Sequence, residues 1–321
     1  MNIGIKMNQT IMDIKEEVQK VIVGHEELID ALLIGLISDG HILVEGVPGL
    51  AKTTAINALA QGLGLDFKRI QFTPDLLPSD ITGTEIYDQK NAEFKVRKGP
   101  AFTNLLLADE INRAPAKVQA ALLEVMQERQ ITIGEETYKL DDPFLVLATQ
   151  NPVEQEGAYK LPEAQLDRFM LNVIVDYNSI EEEFEIVKRV ADNAFGVINQ
   201  VVSKEQLIAL KAAAKEVNVD DAILKYILNI VFATRNPEQF GIAEIGNYIE
   251  YGASPRASIN IYKAVKAVAV LRGKDFVTPV DVAEVVGNVL RHRIILNYKA
   301  EANGITADYI VKTIMQHIKL P

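Results

Sequence analysis

The residues Gly46-Val47-Pro48-Gly49-Leu50-Ala51-Lys52-Thr53 are of types that, at this spacing, can hold phosphate. Glycines permit a tight turn, and the backbone N–H groups of such a turn, with those of a helix start at Thr53 and Thr54, converge on phosphate oxygens. Lys52 brings positive charge to the β and γ oxygens of a nucleotide, and the Thr53 hydroxyl completes Mg²⁺ coordination. The octet departs from GxxxxGK[ST] at one position, where Ala51 stands for the second glycine. Alanine is the smallest substitute, so close approach of the phosphates survives if that residue takes a conformation a Cβ tolerates. Alone, the octet also reads as an ordinary glycine turn. A second element decides between the two: Asp109 and Glu110 are adjacent carboxylates, of which Asp109 suits the Mg²⁺ shell and Glu110 can orient and deprotonate an attacking water. The cofactors expected are a nucleotide and Mg²⁺.

Both sets need a frame that brings them together. Residues 41–45 form a short apolar run ending at Gly46, and 53–63 have helical spacing, so the octet joins a strand to a helix. Residues 67–72, 104–108, 144–148 and 171–175 read as further strands. Residues 116–128 read as a helix with Val118, Leu122, Val125 and Met126 on one face. Such alternation packs as a parallel sheet with helices on both faces, whose ligands bind at the carboxyl ends of the strands. Two stretches exceed this frame and read as β-hairpin inserts: 73–100, with Pro74, Pro78, Gly83 and Gly99, and 130–140, turning at Gly134-Glu135. Beyond Ser179 the texture becomes mainly helical. Ser179 with Glu182, and Ser203 with Gln206, have capping-box spacing, and Thr278-Pro279-Val280-Asp281 places a cap before a proline. The division expected is an α/β nucleotide-binding core over 1–190 and a smaller, mainly α-helical lid domain over 191–321.

Composition removes several function classes. The 321 residues suffice for about two domains. Lys+Arg 33 against Asp+Glu 44 leaves a net charge of −11, without the broad positive field of a general nucleic-acid or membrane-surface binder. The absence of cysteine removes thiol chemistry. The four histidines, His25, His41, His292 and His317, lack metal-ligand spacing. The most apolar run, 31–37, falls far short of the ~20 residues that cross a bilayer, and residues 1–12 lack signal-peptide order. A cytoplasmic chain with no membrane span is expected.

The sequence of motifs resembles the AAA+ ATPases. Residues 144–148 followed by Thr149-Gln150-Asn151-Pro152 resemble the sensor 1 strand, which would put Asn151 near the γ-phosphate and attacking water. Leu161-Pro162-Glu163-Ala164-Gln165-Leu166-Asp167-Arg168-Phe169 resembles the segment presenting an arginine finger, here Arg168, to a neighbouring subunit. Ala253-Ser254-Pro255-Arg256 resembles sensor 2 on the lid, and Ile22-Val23-Gly24-His25-Glu26 the stretch beside the adenine. The wording of 109–115, 120–128 and 148–152 is similar to the MoxR family, over a stretch from about Val21 to the C-terminus. This resemblance implies ATP as the nucleotide, bound with Mg²⁺, and a P-loop AAA+ core with a helical lid, assembled as a homo-oligomer, a hexameric ring, and chaperone-like in action. It also implies a protein partner bearing a von Willebrand factor A domain. Two alternatives stay open: a nucleic-acid motor or loader built on a similar core, and a slow ATP-dependent switch. Against the motor, the second hairpin carries Glu135 and Glu136 with one lysine, Lys139, which is unfavourable beside phosphates. Arg168 also fits a local pair with Asp167. Arg113 fits either a neighbour's nucleotide or a nearby carboxylate, and Gln150 reads as structural.

Overall fold

Strands covered on both faces must be apolar without alternation, and three such runs become the inner strands of one sheet. The computed structural model describes residues 3–46, 52–151, 159–192 and 194–321, with side chains from residue 8 onward. The sheet is built from β1 (Ile42–Glu45), β2 (Phe67–Gln71), β3 (Leu105–Asp109), β4 (Leu145–Gln150) and β5 (Leu171–Ile174), in the order β2-β3-β4-β1-β5. The pairings β2·β3, β3·β4 and β1·β4 are parallel, with Gln71 opposite Asp109, Ala108 opposite Ala148, and Glu45 opposite Gln150. Residues 42–44, 105–108 and 145–148 are fully buried. Outer β2 carries exposed Lys68, Arg69 and Gln71. Because β1, β3 and β4 run in one direction, Gly46, Glu110 and Asn151 all follow strand ends on the same edge of the sheet.

Helices Glu26–Ser38, Lys52–Leu63 and Ala116–Glu128 bury apolar faces including Leu32, Leu36, Ile56, Leu59, Leu122 and Met126. His41 ties one of them to the sheet: its Nε2 donates to Met126 O (2.9 Å) and its Nδ1 accepts from Val146 N–H (3.0 Å). Both inserts are hairpins, Gly83–Asp88 with Glu93–Lys98 and Gln130–Ile133 with Glu136–Lys139. Gly83 is required at the root of the first, since at φ 100 a Cβ would lie 2.3 Å from Arg97 O. An N-terminal helix, Ile3–Gln19, was not legible in the sequence; it buries Ile11, Ile14 and Val18.

The helix Ile180–Ala191 begins with the expected capping box, Ser179 N–H donating to Glu182 (2.8 Å) and Glu182 N–H to Ser179 Oγ (3.3 Å). Its orientation is inverted relative to a surface helix. Arg189 on one side donates to Gln19 O (3.0 Å), while Ile180, Phe184 and Val187, at helical spacing on the other, are 84%, 66% and 66% exposed.

The chain divides into two compact units, Met12–Leu161 with Val173–Leu207, and Met1–Ile11 with Pro162–Asn172 and Ile208–Pro321. In the second, helices Asp221–Ala233, Pro255–Leu271, Pro279–Leu290 and Ala307–His317 surround Ile230, Ile261, Val265, Val268, Val289 and Ile314. The Thr278 cap is built on buried Asp281, which also binds Lys274 (2.7 Å) and Arg272 (2.8 Å). Among the described residues no helix is long and apolar enough to cross a membrane.

Candidate active site

A cleft of about 730 Å³ opens at the carboxyl ends of β1, β3 and β4, within the volume range of small-molecule sites. Gly46, Lys52, Thr53, Thr54, Asp109, Glu110, Thr149 and Asn151 line one part; Val21, Ile22, Val23, Asn178, Ile186 and Phe195 line another. Polar groups gather at the strand ends, and apolar ones flank the chain that enters the sheet. Val47, Pro48, Gly49, Leu50 and Ala51 lie outside the described residues, as do residues 152–158.

Lys52 opens its helix and donates from Nζ to Gly46 O (2.8 Å). Partial burial lowers its pKa, while the negative charges of Asp109 and Glu110 oppose that shift. The two carboxylates are held by a group that motif reading passed over. Thr149, buried at the end of β4, donates its hydroxyl to Asp109 Oδ1 (2.5 Å) and accepts from Glu110 N–H (2.8 Å). That second bond fixes Glu110 in the left-handed region, at φ 55 and ψ 49, a conformation few non-glycine residues adopt. The main chain thus reverses between the two acids, so adjacent residues serve different places.

Strand β2 supplies two further partners. Arg69 binds Asp109 Oδ2 through Nη2 (2.6 Å) and Nε (3.1 Å), and the same Nη2 reaches Gln71 Oε1 (2.7 Å). Gln71 Nε2 donates to Glu110 Oε2 (2.8 Å), which also pairs with Arg113 Nε (3.0 Å). Of the two contacts open to Arg113, the carboxylate is therefore occupied. Arg69 and Gln71 had no sequence signal, because they meet the acids only through the parallel register of β2 on β3.

Asn151 is buried just past β4, beside half-buried Gln150. On the opposite wall, Val23 O accepts from Asn178 Nδ2 (3.2 Å). Gly24, at φ +72, adjoins Glu182, whose Oε1 would lie 2.4 Å from any Cβ there. Arg168 and Arg256 belong to the helical unit. Arg168 is exposed. The carboxylate of neighbouring Asp167 receives Ser254 Oγ (3.0 Å), Arg256 Nη1 (3.2 Å) and Arg293 Nε (2.8 Å). Thr53 and Asp109 offer oxygen donors only, the set that Mg²⁺ prefers, and no cluster of three or more His, Asp or Glu suited to a metal exists among the described residues.

Residues 41–171 match the family described as ATPase family associated with various cellular activities (AAA), and 243–314 match the AAA lid domain. Chaperone MoxR1 of Mycobacterium tuberculosis is 50% identical over 95% of this chain and 81% of its own length. YeaC of Bacillus subtilis, itself uncharacterized, is 44% identical over 95% and 93%. Protein MoxR of Paracoccus denitrificans is 31% identical over 89% and 88%. A solved chain from Cytophaga hutchinsonii, proposed to be an ATPase, superposes with a TM-score of 0.94 at 51% identity, covering 99% of this chain and 97% of that one.

Proposed function

Because this chain belongs to the AAA+ ATPases of MoxR type, we propose that it binds ATP with Mg²⁺ at the ends of β1, β3 and β4, hydrolyses it slowly, and uses the cycle for chaperone-like remodelling or activation of partner protein complexes. The observation that carries this reading is one cleft lined by Lys52, Thr53, Asp109 and Glu110. Lys52, with the backbone N–H groups of Thr53 and Thr54 at the helix start, grips the phosphates along the stretch that begins at Gly46, and Val23 and Gly24 lie beside the adenine. Thr53 and Asp109 hold Mg²⁺, which offsets charge on the β and γ oxygens when bound. Glu110 orients the attacking water and takes its proton, and Asn151 fixes that water beside the γ-phosphate. Arg168 stabilises the transition-state charge in a neighbour's site, and Arg256 serves as sensor 2.

The core is assigned to 1–190 and the lid to 191–321, although the compact units group 1–11 and 162–172 with 208–321 and group 191–207 with the core. Service to a neighbour requires head-to-tail contact, which closes as a ring, here a hexamer. The partner is a protein with a von Willebrand factor A domain, and the setting is the cytoplasm. The test compares ATP affinity and turnover in two variants. Lys52→Ala is expected to lose binding, and Glu110→Gln to bind ATP but turn it over at least ~10²-fold more slowly. Wild-type turnover by Glu110→Gln would refute the role given to Glu110.

A further inference from the structure

Arg291, His292 and Arg293 follow the helix Pro279–Leu290, and all three reach the main chain of the segment that carries Arg168. Arg293 Nη2 donates to Asp167 O (3.1 Å) and Phe169 O (2.5 Å), and its Nη1 donates to Met170 O (3.2 Å) and to Val289 O. His292 Nε2 donates to Phe169 O (3.1 Å), and Arg291 Nη1 to Asn172 O (2.5 Å). Arg293 Nε completes the grip on the Asp167 carboxylate (2.8 Å), which Ser254 Oγ and Arg256 Nη1 share. The Arg293 side chain is 1% exposed. The buried guanidinium is matched to the Asp167 carboxylate and gives most of its remaining hydrogen bonds to carbonyls of the same short segment, Asp167, Phe169 and Met170, so nearly all that makes its burial tolerable comes from that segment.

Backbone carbonyls carry no side-chain information, so such contacts fix where a loop lies rather than which residues it contains. Residues on both sides of Arg168 are held: Asp167 through carboxylate and carbonyl, Phe169 and Met170 through carbonyls. Arg168 is left exposed between them. We propose that Arg293 is the positioning residue for Arg168, so that the finger segment belongs mechanically to the helical unit and the helical unit sets where the finger points. The inference rests on the finger reading given above. It goes beyond that reading in assigning the aim of the finger to Arg293, with Ser254 and Arg256 as auxiliary holds on Asp167. Lysine at 293 would keep the charge but has one nitrogen, and cannot reach the Asp167 carboxylate and three carbonyls together.

The experiment uses the full chain and measures kcat, KM, ATP affinity and Tm for Arg293→Lys, Ser254→Ala, Arg168→Ala and the Arg293→Lys/Arg168→Ala double variant. Arg293→Lys is expected to lower kcat by about 10²-fold with ATP affinity unchanged, as a displaced catalytic group does. In the Arg168→Ala background the same change should add almost nothing, because a misplaced finger and a missing finger are one defect. Ser254→Ala leaves the buried arginine intact, removes the cap of the helix Pro255–Leu271 and so should fold with a Tm only modestly below wild type, and is expected to lower kcat several-fold without moving ATP affinity. It decides the matter if Arg293→Lys is too unstable to assay. Retention of kcat by a folded Arg293→Lys, a loss that multiplies with that of Arg168→Ala, or, where Arg293→Lys cannot be assayed, a silent Ser254→Ala overturns the proposal. If Arg168→Ala itself keeps full turnover, the finger reading fails first, and that outcome is distinguishable because it appears in the single variant.

Discussion

Thr149→Val isolates the junction between the two acids, because valine keeps the shape of threonine and removes only its hydroxyl. Two bonds go with it: the 2.5 Å donation to Asp109 and the 2.8 Å acceptance from Glu110 N–H. A hydrogen bond to a charged group contributes roughly 1.5–3 kcal/mol, and a stranded donor costs about 1–3 kcal/mol when buried. The Glu110 end is only partly buried and the two terms overlap, so a net loss of about 2 kcal/mol is expected. For a domain of about 150–250 residues this lowers Tm by roughly 4–8 °C. The larger effect should be on turnover. Without its N–H partner Glu110 has less reason to hold φ 55, and relaxation to the right-handed region would re-aim its carboxylate. A fall in kcat of about 10²-fold follows from a displacement on the order of 1 Å. Thermal unfolding and a coupled phosphate-release assay read the two effects separately, and Thr149→Ser, which keeps the hydroxyl, should recover most of both. Wild-type turnover and Tm in Thr149→Val would refute the reasoning.

Coexpressed Lys52→Ala and Arg168→Ala subunits, each nearly inactive alone, should regain activity in mixed rings, since random equal mixing restores roughly a quarter of interfaces; no recovery in verified mixed rings would place Arg168 outside the neighbour's site. His41 is buried with its pKa pushed down to about 4, chiefly by desolvation, and Nδ1 must stay unprotonated to accept from Val146 N–H. A folded-state pKa below the unfolded value of about 6.5 means that its contribution is complete above pH 6.5 and is lost as pH falls toward 4. Up to about 3 kcal/mol is at stake, with His292 acting in the same direction, so Tm should decline from pH 7 to pH 4.5. An NMR titration in which His41 ionises above pH 6 would contradict this.

The frame of the site was legible because its strands are apolar runs with chemistry at their ends: Ile42-Leu43-Val44 before Gly46, Leu105 to Ala108 before Asp109 and Glu110, and Leu145 to Ala148 before Asn151. Hairpins and caps were legible from Gly83, Gly134 and Ser179 for the same local reasons. What stayed hidden depends on register and packing. Thr149 looks like any strand threonine until β4 is laid on β3, and Arg69 and Gln71 acquire meaning only when β2 joins the same edge. The segment around Arg168 was read from its own wording, but its attachment to Arg293 spans more than a hundred residues and has no local signature.

The inverted helix Ile180–Ala191 leaves the folded chain with a stripe of unsatisfied oil. Ile180, Phe184 and Val187 would each contribute about 1.5–3 kcal/mol on full burial. Whatever surface comes to lie on them will do so by shedding ordered water, with a negative heat-capacity change, more firmly in warm solution than in cold and more firmly with sulfate than without it. The temperature and salt of a preparation therefore act on this chain as reagents.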